Sequence, residues 1–183
     1  MRFIRGVVTA LESINEVVGR AVAWLTLLMV LVAFVAVILR YVFSIGWVWL
    51  QESYIWMHGL LFMLGAGYTL LYNQHVRVDI FYRPASVRRK AWVDLFGVVF
   101  LLGPMLWIVM YHSVGFVERS WRSFEGSAEA GGLPGLFLLK TAIPIFCVLM
   151  ALQGLALALR SMLVIAGHNE FAHGRGSEEA VSS

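Results

Sequence analysis

The chain has 183 residues, of which 60% are apolar and only 14% are charged. A soluble domain is about 45–50% apolar and about 25% charged, and one core of this size cannot bury so large an excess. The single cysteine excludes a disulfide scaffold, and a formal charge of +3 without clustered bases excludes a nucleic-acid-binding domain. The composition therefore predicts a small integral membrane protein.

Residues 1–20 have the spacing of an amphipathic helix. Six apolar residues recur three or four positions apart on one predicted face: Ile4, Val7, Val8, Leu11, Ile14 and Val18. The polar residues fall mostly on the opposite face: Arg2, Arg5, Thr9, Glu12 and Glu16. This pattern predicts a helix that lies in the membrane interface, and the alternative is a cytoplasmic extension of the first membrane span.

Four long apolar runs follow, each about as long as the 20 residues that a spanning helix needs. They cover residues 21–39, 47–72, 91–116 and 133–159. The first run is longer and starts later than the apolar part of a signal peptide, so it predicts a retained span. No run alternates with a period of two, which excludes a membrane β-barrel. The predicted fold is an all-α membrane protein with four transmembrane helices, followed by a polar, disordered tail at residues 167–183.

Lysine and arginine are distributed unequally between the two ends of these spans. Ten of the 14 basic residues fall in the N-terminal segment, the loop after the second span and the C-terminal segment. Arg40, Arg119 and Arg122 fall on the other side, and Lys140 lies within the fourth span. Because the more basic side of a membrane protein faces the cytoplasm, both termini are predicted to be cytoplasmic.

Two ionisable residues lie near the outer ends of the predicted spans, and each needs a polar partner or water. Glu52 is predicted to pair with Arg40 across the first hairpin, to contact another subunit, or to stay hydrated at the membrane edge. Lys140 either extends its side chain outward to water or pairs with Glu125 or Glu129 in the preceding loop.

Two further ionisable residues lie elsewhere in the spans. His58 is deeper, and a lone intramembrane histidine is more often hydrogen-bonded to a neighbouring helix than a proton carrier or a haem ligand. Asp94 lies one turn inside the third span and is predicted to form an ion pair with the basic residues before it, Arg88, Arg89 and Lys90.

The sequence offers no enzymatic or cofactor chemistry. A haem held by two histidines needs them at one depth, but His58 lies about eleven residues from the outer end of its predicted span and His112 about four. We therefore expect no haem, no metal and no other cofactor. Four spans without a repeat are also too few for a transporter that works alone, so the chain is predicted to be an accessory subunit of a larger membrane partner.

Two segments of the chain resemble a known family. They are the run Leu39-Arg40-Tyr41-Val42-Phe43 with Trp47, Trp49 and Glu52 after it, and the run His75-Val76-Arg77-Val78-Asp79-Ile80. Together they resemble the DctQ-type small permease subunit of tripartite ATP-independent periplasmic (TRAP) transporters, over roughly residues 17–165. The family often has two adjacent acids after the tryptophan, whereas this chain has Gln51 and Glu52.

The resemblance implies a partner and a role. The partner is a large, twelve-span permease subunit that carries an organic acid in an elevator-type motion driven by a sodium gradient, and a periplasmic binding protein delivers that acid. The small subunit would hold no substrate and would brace the large one in the bacterial inner membrane, in contact with lipids but not with nucleic acid. The sequence from Glu125 to Pro144 weakly indicates a 2-oxo acid or a related carboxylate. The alternative is a self-assembling membrane protein, such as a small channel or the anchor of a redox complex.

The resemblance also implies roles for single residues. Arg40 and Tyr41 would anchor the outer end of the first span. Three residues would fix the cytoplasmic connection between the second and third spans, or contact the large subunit or lipid headgroups: His75, Arg77 and Asp79. Trp49, Glu52, Asp94 and Lys140 complete the set of candidate structural or partner-contact residues.

Overall fold

The computed structural model describes residues 2–75, 82 and 84–168 of the chain. All of its regular elements are helical: α1 (Arg2–Tyr41), α2 (Val48–Leu71), α3 (Val87–Phe96), a π-helical segment (Gly97–Leu102), α4 (Gly103–Arg122) and α5 (Leu136–Ile165). The predicted all-α fold is confirmed.

Four stretches of helix are long and apolar enough to cross a membrane: Ile4–Tyr41, Val48–Leu71, Val87–Arg122 and Leu136–Ile165. Their number agrees with the four apolar runs of the sequence. The third stretch joins α3, the π-helical segment and α4 end to end, and it continues six residues past the predicted end of the span at residue 116.

Helix α1 is continuous, with no change of element at residue 20 where the sequence suggested one. Its 40 residues rise about 60 Å, roughly twice the thickness of the hydrocarbon layer. No proline interrupts the helix, and Gly19 remains within it, so the first twenty residues continue the helical geometry of the span. The position of those residues in the membrane interface stays a prediction.

The predicted faces of the N-terminal segment were wrong at Glu12. That side chain was placed opposite the apolar residues but is 2% exposed. The buried stripe of α1 is instead formed by Val8, Glu12, Asn15, Gly19 and Val22. The reason is that the neighbouring helix α5 supplies polar partners, which make the polar side of α1 the better one to bury.

Helix α5 is the centre of the bundle. It packs against α1, α2, α3, α4 and the π-helical segment. In its most apolar 18-residue window 44% of the residues are buried, against 0–11% in the other three membrane-length stretches. The α1–α2 pair therefore lies against α5 on one side, and the helices from Val87 to Arg122 lie against its remaining surface.

The π-helical segment has a local cause in the sequence. Pro104 lies two residues after its end and has no backbone N–H to donate, and in an α-helix its ring would clash with the carbonyl group four residues earlier. The N–H of Gly103 bonds to the carbonyl of Val98, five residues back, which is the π-helical pattern. The widened turn places Leu102 against Gly154 of α5, where a Cβ atom would lie 2.7 Å from the Leu102 side chain.

The two N-terminal helices make their closest contact at Gly19. A Cβ atom at this position would lie 2.3–2.4 Å from the Cβ, Cγ and Cδ2 atoms of Tyr68 on α2. Small residues at such points let helix backbones approach closely, which is a main source of helix association in membranes.

The substitution Gly19→Ala tests this contact. Because the new methyl group meets the base of the Tyr68 side chain, we expect it to destabilise the protein by about 1–3 kcal/mol, as overpacked cores do. Gly6→Ala, in the same helix, meets nothing within 4 Å and removes a poor helix former, so it should be neutral or stabilising. Thermal unfolding in detergent measures both variants. Equal melting temperatures would show that α1 and α2 do not pack at Gly19.

Candidate functional site

Glu52 fixes the outer loop to the start of α2. It lies in the first turns of that helix, and its Oε2 atom accepts a hydrogen bond from the backbone N–H of Leu133 at 2.6 Å. Its other carboxylate oxygen accepts a hydrogen bond from the Ser127 hydroxyl. The Glu52 carboxylate therefore bonds to the loop instead of forming the predicted pair with Arg40. Arg40 is exposed near the end of α1.

The outer loop, residues 123–135, is folded around that carboxylate. The N–H of Ser127 donates to the carbonyl of Leu133 at 3.0 Å, and the N–H of Glu129 donates to the Ser127 hydroxyl at 3.1 Å. At Gly132, an added Cβ atom would lie 2.7 Å from Oε2 of Glu52. The carboxylate and the loop therefore fit together only because a glycine stands at this point.

Lys140 pairs with Glu125 across the first turns of α5. Its Nζ atom is 2.5 Å from Oε2 of Glu125 and 4.1 Å from the centroid of the Phe116 ring. The Lys140 side chain is 15% exposed, so of the two alternatives from the sequence the structure shows the ion pair with Glu125. Hydrogen bonds from Lys140 and Ser120 lower the pKa of the Glu125 carboxyl below its ordinary value.

Aromatic rings surround the outer ends of the helices. Trp49 stacks on Trp47 with ring centroids 5.8 Å apart. The indole N–H of Trp121 donates to the Thr141 hydroxyl at 2.9 Å, and its ring meets Phe137 at 4.6 Å. Tyr41, the last residue of α1, is 80% exposed. Such amphipathic rings are typical of the membrane–water interface.

At the opposite end of the bundle, two predicted site residues form hydrogen bonds within the described part of the chain. Nδ1 of His75 lies 3.2 Å from the Thr69 hydroxyl. Asp94, expected to pair with the basic residues before it, accepts a hydrogen bond from the Tyr82 hydroxyl at 2.9 Å. Lys90 places its Nζ atom 5.4 Å from the centroid of the Tyr82 ring. Arg77 and Asp79 lie outside the described residues.

The sequence analysis missed a buried polar cluster between α1 and α5. Glu12 forms an ion pair with Arg160, which had been counted only as a charge that sets orientation. Nδ2 of Asn15 donates to the Leu149 carbonyl at 3.2 Å and to Oε1 of Gln153 at 3.3 Å. Asn15 is 1% and Gln153 is 3% exposed. The sequence could have indicated a polar face on each helix, because Glu12 and Asn15 are three residues apart and Gln153 and Arg160 are seven apart.

Two histidines lie in membrane-length helices. Helix α4 ends at Arg122, so His112 lies ten residues from the end of that helix, as His58 lies ten residues from Val48 at the start of α2. The third stretch, with 36 residues, is longer than a membrane span, so the depth difference between the two histidines stays a prediction. Both side chains are exposed, on helices that each pack against α5. Within the described residues, no group of three or more His, Cys, Asp or Glu side chains is arranged to hold a metal ion.

The geometry defines a class of protein: a four-helix membrane bundle in which the buried polar side chains tie helices and loops to one another. The family model of the DctQ component of tripartite ATP-independent periplasmic transporters matches residues 29–163. The chain belongs to this family, and it is therefore the small membrane component of a transporter that works as a complex. Comparisons with curated proteins and with solved structures found no significant match.

The substitution Glu52→Gln tests the attachment of the outer loop. Glutamine removes the charge that strengthens both contacts: a hydrogen bond to a charged group is worth about 1.5–3 kcal/mol, against about 0.5–1.5 kcal/mol for a neutral one. We expect cleavage within residues 123–135 by an added protease to become about tenfold faster or more. Glu129→Gln, exposed in the same loop, serves as the control. The same cleavage rate in both variants would contradict the role of Glu52.

The Glu125–Lys140 pair predicts a dependence of stability on pH. A lowered pKa in the folded state stabilises the protein above the ordinary glutamate pKa of about 4.3, and this contribution is lost as the pH falls through the folded-state value. Lys140→Met removes the pair, so its melting temperature should differ from that of the unmodified protein more at neutral pH than in acid.

The control for this experiment is Arg122→Met. It removes an exposed pair with Glu118, whose side chains are 77% and 56% exposed, and exposed pairs contribute little. Melting curves between about pH 3 and pH 7 should show a small difference that does not change with pH for this control. The loss of the Phe116 contact in Lys140→Met is independent of pH and cancels in the comparison. A Lys140→Met difference that is constant with pH would contradict the prediction.

Proposed function

We propose that this chain braces the large permease subunit of a TRAP transporter and carries no substrate itself. The observation that supports this most directly is that charged and amide side chains at the helix contacts bond within the bundle, although Oδ1 of the buried Asn15 has no hydrogen-bond partner. Glu12 bonds to Arg160, Asn15 bonds to Gln153, and Glu52 bonds to the outer loop. A solute path needs polar groups that are free to bind the solute, whereas these groups hold the helices together.

The proposed topology rests on charge and on the number of spans. Four membrane spans would leave both ends of the chain on one side, and the more basic side of a membrane protein is the cytoplasmic one. The outer loop and the aromatic rings near it would then face the periplasm, where the binding protein docks on the assembled transporter. We therefore propose that the chain lies in the bacterial inner membrane with both termini in the cytoplasm.

The partner is a twelve-span subunit that moves an organic acid with an ion gradient, and the acid is a carboxylate such as a 2-oxo acid. A rigid bundle suits the bracing role, because a subunit that moves a solute across a membrane needs a fixed neighbour against which to move. The ties between α1 and α5 and between α2 and the outer loop supply that rigidity.

Reconstitution into liposomes tests the proposal. Liposomes that contain this chain, the large subunit and the binding protein should take up a labelled 2-oxo acid when a sodium gradient is applied. Liposomes without this chain should lose most of that uptake, and liposomes with this chain alone should show none. Uptake or ion conductance by this chain alone would overturn the proposal in favour of a self-assembling channel.

A further inference from the structure

One histidine lies on the outer surface of α2 within its apolar part. His58 stands ten residues after Val48, about 15 Å along the helix, and its side chain is exposed. One turn away on either side, Ile55 is 57% and Phe62 is 71% exposed. These three residues share one face of the helix and are called the α2 stripe below.

The imidazole of His58 has hydrogen-bonding groups that nothing in the described chain satisfies. In its neutral form an imidazole offers one donor and one acceptor nitrogen. Among the described residues, His58 makes no hydrogen bond within the chain. Lipid tails offer neither a donor nor an acceptor, and ionisable residues inside spans almost always face protein or a water-filled cavity. The α2 stripe is therefore unsuited to lipid and suited to a polar protein surface.

Other exposed faces of the bundle do not require a polar protein partner. The outer surface of α1 is apolar, with Trp24 at 73% and Phe34 at 62% exposed, and lipid can cover it. His112 is also exposed, but its ring meets Tyr111 edge-on with centroids 5.3 Å apart. Six residues after His112, the Glu118 side chain is 56% exposed, whereas six residues before His58 the Glu52 carboxylate is bonded to the loop at residues 123–135.

We propose that the α2 stripe is the surface on which a transmembrane helix of the large subunit packs. A hydroxyl or amide side chain of that helix hydrogen-bonds to His58, and its apolar side chains cover Ile55 and Phe62. The identity of the occupant rests on the proposed function, since the family works as a complex with other transporter components. A polar group is required on the partner because an apolar helix would leave the imidazole as unsatisfied as lipid does.

Site-specific photo-crosslinking tests the contact. A photoreactive phenylalanine analogue replaces Ile55 or Phe62 on the stripe, and Trp24 or Phe34 on α1, in cells that also express the large subunit. We expect the stripe positions to crosslink to the large subunit, identified by mass spectrometry, and the α1 positions to crosslink to lipid. Stripe crosslinks to a second copy of this chain, or to lipid alone, would overturn the proposal. Absence of the large subunit from every crosslink and from the purified complex would overturn the proposed function itself.

Substitution of His58 tests the hydrogen bond. Loss of one interhelical hydrogen bond in a membrane should reduce the large subunit recovered with His58→Leu by about threefold or more. His58→Gln keeps a donor and an acceptor and should restore recovery, and His112→Leu should leave it unchanged. The melting temperature of each variant without the large subunit separates lost contact from lost folding. Equal recovery with His58→Leu and with the unmodified chain would overturn the role of His58.

Discussion

Each membrane-length helix of this bundle is as apolar as the lipid around it, so its association with the others cannot be driven by excluding water. What remains is close approach of backbones and hydrogen bonding between helices. The structure uses both. Gly19 brings α1 against Tyr68 of α2, Gly154 brings α5 against Leu102, and polar groups join α1 to α5 through Glu12. The other features of the fold depend on these few contacts.

The central position of α5 follows from this constraint. Its small residues and polar side chains are the ones that neighbouring helices meet, and it is correspondingly the most buried of the four. The outer loop is attached in the same way: Glu52 bonds to the N–H of Leu133 near its end, and Lys140 pairs with Glu125 near its start. A subunit held together by its own polar groups has few left for a solute. His58 makes no hydrogen bond among the described residues and faces outward, and for this reason it indicates where a partner lies.

The sequence predicted the number and type of the helices and the family, because both depend on local properties. A long uncharged run is recognisable without knowledge of its neighbours, and so are short motifs such as the segment around Arg40. Predictions that needed a neighbour were less successful. Glu12 was placed opposite the apolar residues of α1 but is buried against α5, where it pairs with Arg160. The hydrogen bond between Asn15 and Gln153 was not predicted at all.

Composition and the length of its apolar runs by themselves determined that this chain is a four-helix membrane protein, since the free energy of placing a helix in lipid is a sum over its own residues. Only the tertiary structure decided which polar groups meet. Asn15 bonds to the carbonyl of Leu149, 134 residues away, and Glu52 bonds to Leu133, 81 residues away. Such pairs are selected by the packing of separate helices. Spacing along the chain indicates which face of a helix a polar group lies on, but not which helix that face meets.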